Sequence, residues 1–431
     1  MLANLQKFFC CSNTLPPAYQ IESPSGIDNS DKSLVLPLSR MNSRTRNQIG
    51  SEKELIYYSN KDSEVYSINL FDIINKPSLS IKKVVFGNNH CLILLIETEH
   101  PEKTYLAGFG ANNKGQLGLD VFSKKSSDED INAKNYYDRV LLINAFDINS
   151  TILDIAASND FSLVLVIDSV TKKKKLYRFE LTQNDLFNLG NFSVNRTSSV
   201  KEEKCGQDII ENITHIYAKN GRILLQDEKE SALYIKGMMF SMDICDKYKL
   251  FKKFPDKKIA QISLGLNHCL ILFTNNTLVS LGHNEYGELG LKCYNPKLVN
   301  ELRFFEGHTI KKISSGFRHN LVLCEDGTLY AFGDNHSKQC AGESNFYLEP
   351  RIVNIKDVID IECGGKFSLC KNRKGEVFTW GLCDFFFRDE IYNSSSNNDD
   401  YFRLLNDIKL KNINGMFAGD YVVLFYAEKS G

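Results

Sequence analysis

One short pattern recurs from residue 84 to residue 425, and it constrains the fold more than any other feature. An apolar strand meets a turn of small residues, and a second apolar strand follows. The copies read VVFGNNHCLILLI (84–96), IAASNDFSLVLVI (155–167), IYAKNGRILLQ (216–226), ISLGLNHCLILF (262–273), ISSGFRHNLVLC (313–324), IECGGKFSLC (361–370) and MFAGDYVVLF (416–425). Aligned on the turn, the anchor positions are Gly87, Ser158, Lys219, Gly265, Gly316, Gly364 and Gly419, between 46 and 71 residues apart. A second unit alternates with the first: a strand, a glycine, then an Asn-rich turn that often closes on Leu-Gly. Its clear copies are TYLAGFGANNKGQLGLD (104–120), TLVSLGHNEYGELGL (277–291) and TLYAFGDNHSKQCAG (328–342). VFTWGLCDFFF (377–387) is shortened, and the stretches at 176–190, 233–245 and 55–68 are worn.

Each repeat therefore holds about four short strands in roughly 50 residues, with no helical period anywhere. A four-stranded sheet that cannot bury both faces alone must stack on neighbours, and the closed form of that stacking is a β-propeller. The expected fold is all-β, a seven-bladed β-propeller over residues 51–431. Kelch and WD repeats fit less well, because Trp-Asp is absent and neither a double glycine with Trp nor Gly-His recurs as a repeat signature. The chain enters the repeats on an Asn-turn unit and leaves on an anchor unit, so neither end holds a complete blade. An open array would leave unpaired edges. Segments near 51–70 and 405–427 are expected to form one composite blade, so that N- and C-terminal strands close the ring.

Residues 1–50 are rich in Pro, Ser, Asn and Gly and show little periodicity, which reads as a disordered tail. Cys10 and Cys11 beside Phe8 and Phe9 are too little apolar surface for a stable lipid anchor. No apolar run exceeds seven residues, so no membrane span is expected. Lys plus Arg number 52 against 53 Asp plus Glu, and this balance offers no field for sequence-blind nucleic-acid binding. The twelve cysteines show no C-x-x-C and no zinc spacing, so a reducing compartment with core cysteines is expected.

The units resemble the regulator of chromosome condensation repeat family. G-x-x-H before alternating apolars, then an aromatic-Gly strand end and N-x-x-G-x-L-G, is that family's repeat; GFGANNKGQLGLD, SLGHNEYGELGL and SSGFRHNLVLCEDGTLYAFGDN carry it. The resemblance implies a protein-interaction propeller that acts as a scaffold or regulator on a small GTPase or its pathway. The alternative it implies is true guanine-nucleotide exchange on a Ran-like GTPase. Cytoplasm or nucleus is the expected location, and a monomer the expected state. The second and third repeats depart from the pattern, with Arg222 in place of the anchor His and no glycine over Tyr177–Glu180.

No nucleophile, metal or cofactor motif is present: G-x-S-x-G and H-E-x-x-H are missing, and Gly108–Gly115 lacks P-loop spacing. The chain is therefore expected not to be an enzyme in the covalent sense. The anchor glycines are expected to need positive φ or close backbone approach. His90, His268 and His319 sit three residues later on separate repeats, too far apart to share one ion, and read as structural hydrogen-bonding residues. The tetralysine 172–175 reads as a hairpin tip, and 121–138 as an insertion. The candidate partner-binding rim is the Asn-rich turns: Asn112, Lys114, His283, Asn284, Glu285, Asp334, Asn335 and His336 are all expected to be exposed on one rim.

Overall fold

The computed structural model describes residues 53–59, 65–69, 79–119, 121–122, 136–147, 149–181, 196–197, 199–237, 245–292, 298–383, 402–405 and 413–428. The chain divides into two units, residues 1–49 and 50–431. The first lies outside the described residues, and with it the expected tail.

The second unit is an all-β propeller. Six four-stranded antiparallel sheets each take their strands in chain order from one stretch of sequence. The first runs Leu79–Phe86, His90–Glu97, Thr104–Ala111 and Tyr136–Leu142. The second runs Thr151–Ala157, Ser162–Ile167, Lys174–Phe179 and Val200–Glu202. The third comprises Ile213–Lys219, Arg222–Asp227, Ala232–Gly237 and Cys245–Lys253. The fourth comprises Ile259–Leu264, His268–Phe273, Leu278–Gly282 and Asn300–Glu301. The fifth holds Ile310–Ser315, His319–Cys324, Leu329–Asp334 and Phe346–Val353. The sixth holds Val358–Cys363, Phe367–Asn372, Val377–Gly381 and Arg403–Leu404.

A further four-stranded sheet is composite. Its order is Val65–Asn69, Lys53–Ser59, Val422–Glu428, Ile413–Ala418, so that strands from the two ends of the unit lie side by side. The register pairs Lys53 with Glu428 and Ser59 with Val422. The two ends thus share one sheet, as the order of the repeat units required.

The second strand of each sheet explains why the ring holds. His268–Phe273 and His319–Cys324 are buried at every position, because each is covered on both faces by a neighbouring sheet. Alternate side chains serve alternate neighbours. Cys269, Ile271 and Phe273 pack with Leu224, Leu233 and Ile235 of the third sheet. Leu270 and Leu272 pack with Ile313, Val322 and Phe332 of the fifth. The same division recurs around the unit, down to Cys91, Ile93 and Leu95 of the first sheet, which pack with Leu424 of the composite one. Such strands read as unbroken apolar runs, which is how they stand out in the sequence. Each buried Leu or Ile contributes roughly 1.5–3 kcal/mol.

Cysteines fill this core. The eight cysteines described as free are all buried, and burial pushes the thiols of Cys91 and Cys269 up, away from reactivity. The tetralysine forms the hairpin expected of it, with Lys172 at positive φ in the turn. Lys174 donates to the Ile213 carbonyl at 2.8 Å and Lys175 pairs with Asp168 at 3.1 Å. Of the 121–138 insertion, Val121–Phe122 pairs with Arg196–Thr197 as a two-stranded ribbon, while 123–135 lie outside the described residues.

Candidate functional site: the turn-bearing face

In every sheet the first strand runs toward one face of the ring and the second returns from it. The third strand runs toward it again, so anchor turns and Asn turns share a face. Backbone bonds tie them together: Ala111 N–H to Asn89 C=O (2.7 Å), His283 to Asn267 (3.0 Å), Asp334 to Arg318 (2.8 Å) and Leu382 to Lys366 (2.9 Å).

The anchor histidines hold adjacent sheets together beneath this face. His90 Nε2 lies 2.7 Å from Ser162 Oγ of the next sheet, and that hydroxyl donates to the Gln116 carbonyl at 2.9 Å. His319 Nε2 lies 3.0 Å from Ser368 Oγ, which donates to the Gln339 carbonyl at 2.8 Å. His268 Nε2 lies 2.8 Å from Asn320 Oδ1, and Asn320 Nδ2 donates to the Glu288 carbonyl at 2.8 Å. The acceptor in each pair is already fixed, so each imidazole must carry its proton on Nε2 and donate it. Burial pushes His90 and His268 down to about 4 and His319 to about 3, so all three stay neutral at neutral pH. They are three separate clamps, as their spacing indicated.

The clamps also give the anchor glycines their physical reason, and it corrects half of one expectation. Close backbone approach is met, since a Cβ on Gly87 would stand 2.2 Å from the Ser158 carbonyl oxygen and on Gly316 2.5 Å from that of Gly364, while positive φ is not. Gly87, Gly265 and Gly316 are absent from the positive-φ residues. A Cβ on Gly265 would stand 2.0 Å from His268 Cε1, and on Gly316 2.1 Å from His319 Cε1. The glycine makes room for the ring three residues on; conformational freedom is not what it supplies.

A second correction concerns the Asn turns. Asn112, Asn284 and Asn335 are buried, and so is Asp334. Asn112 Oδ1 accepts the Leu117 amide at 2.9 Å while its Nδ2 donates to the Leu119 carbonyl at 3.2 Å. Asn284 does the same for Leu289 and Leu291, and Asn335 for Cys340 and Gly342. These side chains satisfy the turn's own backbone, which water would otherwise have to do. Asp334 is taken up by His336 Nδ1 at 2.5 Å and Gln339 Nε2 at 3.0 Å. The other four expected rim residues do reach the surface: Glu285 and His336 are exposed, Lys114 and His283 half-buried.

The two residues after an anchor position also reach the surface of this face, Gly365 apart, and the sequence reading passed them over. Their signal lay inside G-x-x-H: the glycine and histidine go to the core and the two intervening residues go to solvent. Asn88 and Asn89 are exposed, as are Lys366 and Tyr421, while Phe317 and Arg318 are half-buried. Several meet across the ring. Lys219 pairs with Asp420, from the third sheet to the composite one. Lys219 Nζ also lies 5.7 Å from the Phe317 ring, which meets Tyr421 edge-on at 5.8 Å. Four residues from three sheets thus converge where the anchor turns meet. Toward the first two sheets, Lys114 pairs with Asp160 at 2.7 Å. Over the fourth and fifth, the Arg318 guanidinium lies 4.7 Å from the Tyr286 ring, which meets His336 edge-on at 5.7 Å. Among the described residues no group of three or more His, Cys, Asp or Glu is placed to hold a metal.

The regulator of chromosome condensation (RCC1) repeat matches residues 310–339, which span the fifth sheet's first three strands and its turn. The human E3 ubiquitin-protein ligase HERC2 is 33% identical over 157 residues, covering 34% of this chain and 3% of the ligase, so the chain corresponds to a small part of that protein's length. Yeast RCC1 (Prp20), in its structure bound to Kap60, superposes with a TM-score of 0.65 at 16% identity, covering 92% of this chain and 97% of that one. Prp20p from Saccharomyces cerevisiae, in a structure studied with its binding properties to Gsp1p and histones, gives 0.64 at 16% identity, covering 88% and 92%. These two structures establish the propeller fold, and the repeat motif lies on it where the anchor and Asn turns do. In repeat, relatives and fold together, the chain resembles the RCC1-like proteins.

Proposed function

We propose that the turn-bearing face is a protein-docking platform, and that the chain is a scaffold or regulator in a small-GTPase pathway. The observation that carries this is the division of labour within G-x-x-H. Glycine and histidine are spent on holding sheets together, which leaves the two residues between them free to vary on a rigid, regularly spaced surface. In the fifth repeat those positions carry Phe317 and Arg318, and the equivalent turns of the next two, Gly364–Phe367 and Gly419–Val422, carry Lys366 and Tyr421, side chains of the kind that anchor protein interfaces. That Prp20p was studied for binding to Gsp1p and histones supports a protein partner for a propeller of this type. We count the composite sheet as a blade, which makes the ring seven-bladed, and take residues 1–50 as a tail outside it. A monomer working in cytoplasm or nucleus, without covalent chemistry, completes the reading.

The test is affinity capture with the intact chain and with a triple variant, Lys114→Glu, Glu285→Lys, His336→Glu, whose melting temperature is checked first. Capture should fall in the variant, and unchanged capture would remove this face from consideration. Nucleotide-release kinetics on a captured GTPase decides the alternative: acceleration by the propeller would make it an exchange factor.

A further inference from the structure

We propose that Arg318, laid on Tyr286 beside His336, is the recognition point for an acidic segment of a protein partner, its guanidinium receiving a carboxylate. This rests on the docking-platform reading and names the partner's chemistry.

The patch is assembled from fixed parts. The Arg318 carbonyl accepts the Asp334 amide at 2.8 Å, which pins its backbone to the neck of the fifth sheet's Asn turn. The Tyr286 amide donates to Glu288 Oε2 at 2.8 Å, and the His336 ring is held by Asp334. Tyr286 comes from the fourth sheet's turn and Arg318 and His336 from the fifth, so the stack crosses a sheet boundary. A guanidinium held against a ring loses little rotamer freedom on binding and is weakly hydrated, and its planar fork matches a carboxylate.

Charge accounting points the same way. Asp160 is taken by Lys114, Asp420 by Lys219, and Asp334 by His336. Glu288, the buried carboxyl whose charge Arg318 feels, already holds the Tyr286 amide. Arg318 and the exposed Lys366 have no ion-pair partner among the described residues. Besides Asp334 and Glu288, Glu285, exposed and next in sequence to Tyr286, is an opposing charge with no ion-pair partner among the described residues. The cations left over are too few and too scattered for a polyphosphate backbone, since Lys114 and Lys219 are neutralised. They suit a short acidic stretch of polypeptide.

The experiment uses the full chain and a fluorescein-labelled peptide alternating Asp and Glu with Gly and Ser, together with its Asn/Gln counterpart, read by anisotropy. The acidic peptide should bind and its amide counterpart should bind at least about tenfold more weakly. Arg318→Met should weaken the acidic peptide by about tenfold or more, and Arg318→Lys, which keeps charge but loses the fork and the stack, should fall between. Lys173→Glu, in the exposed hairpin at the opposite end of the second sheet from its anchor turn, should leave peptide binding intact. Equal binding by both peptides, binding unchanged in Arg318→Met at unchanged melting temperature, no binding of the acidic peptide, or its displacement by equimolar single-stranded DNA would each overturn the assignment. If Arg318→Met leaves peptide binding unchanged while the triple rim variant still loses partner capture, the platform stands and Arg318 falls. If no substitution on the face alters capture, the platform itself falls.

Discussion

Glu288 occupies the place that Gln116 and Gln339 take in the other two well-formed Asn turns. All three side chains accept the amide two residues before them, at 2.8, 2.8 and 2.9 Å. Glutamine does this without charge. Glu288 is only 3% exposed, and burial pushes its carboxyl up to about 7 from an ordinary 4.5, with the Arg318 guanidinium pulling the other way. Between those values the folded chain keeps a proton that the unfolded chain has released. Stability therefore falls as pH rises from 4.5 to 7, and the loss is complete above it. At 1.36 kcal/mol per pH unit the full penalty is about 3 kcal/mol. Glu288→Gln removes the charge and keeps the acceptor, and Glu285 offers an acceptor for the new amide. The two proteins should unfold alike near pH 4, and the variant should be more stable by about 3 kcal/mol at pH 8. With about 2.1 cal/mol/K of unfolding entropy per residue, that corresponds to roughly 4 °C for a domain of this size. Urea or thermal unfolding from pH 4 to 8.5 reads the difference directly. Parallel pH curves for the two proteins would refute the reasoning, since they would mean that Glu288 is ionised and satisfied in its turn.

Gly265→Ala should destabilise by about 1–3 kcal/mol in urea unfolding, because the three atoms nearest the new Cβ all belong to the His268 ring; in a His268→Ala background the cost should largely vanish, and an undiminished cost would show that the ring is not its cause. Ser368→Ala leaves the buried His319 Nε2–H without its acceptor and should cost about 1–3 kcal/mol, read as quenching or shift of Trp380 emission along the unfolding curve, since Trp380 Nε1 donates to the same Gln339 carbonyl. Ala341 stands at φ 53° where the other two turns have glycine, so Ala341→Gly should raise stability by about 0.5–1 kcal/mol; a lower melting temperature would count against strain there. Deleting 413–431 removes two of the four strands of the composite sheet and should give aggregated or protease-sensitive protein, whereas a cooperative melt would show that closure is dispensable.

The fold was legible because its strongest signals are local. Runs such as CLILLI and LVLVI are apolar on both faces because a sheet covers each face, and the G-x-x-H and Asn-turn units mark where strands reverse. Closure was legible from the mere order of the units. What misled was the polarity of Asn112, Asn284 and Asn335. Polar residues in a turn ordinarily face water, but these replace water for a buried backbone, and sequence does not distinguish the two uses. The anchor glycines were half legible: close approach was among the expected reasons, but sequence does not say that a histidine ring makes much of it. The meetings of Lys219 with Asp420 and of Arg318 with Tyr286 were out of reach. They depend on how the closed ring brings turns together, 201 residues apart in the first case.

The composite sheet has a mechanical consequence. Lys53 pairs with Glu428 at one end of the seam and Ser59 with Val422 at the other, so the strand ends at 53 and 428 lie side by side at one corner of the ring. A load applied through those two flanks would not shear the seam with all its rungs sharing the force. It would peel the two strands apart one hydrogen bond at a time, each worth about 1 kcal/mol, like a zip drawn from its open end. The ring should resist compression and heat through its many interlocked sheets, yet yield to a modest tug on its flanks. Anything tethered to both flanks at once holds the one handle by which this ring comes undone.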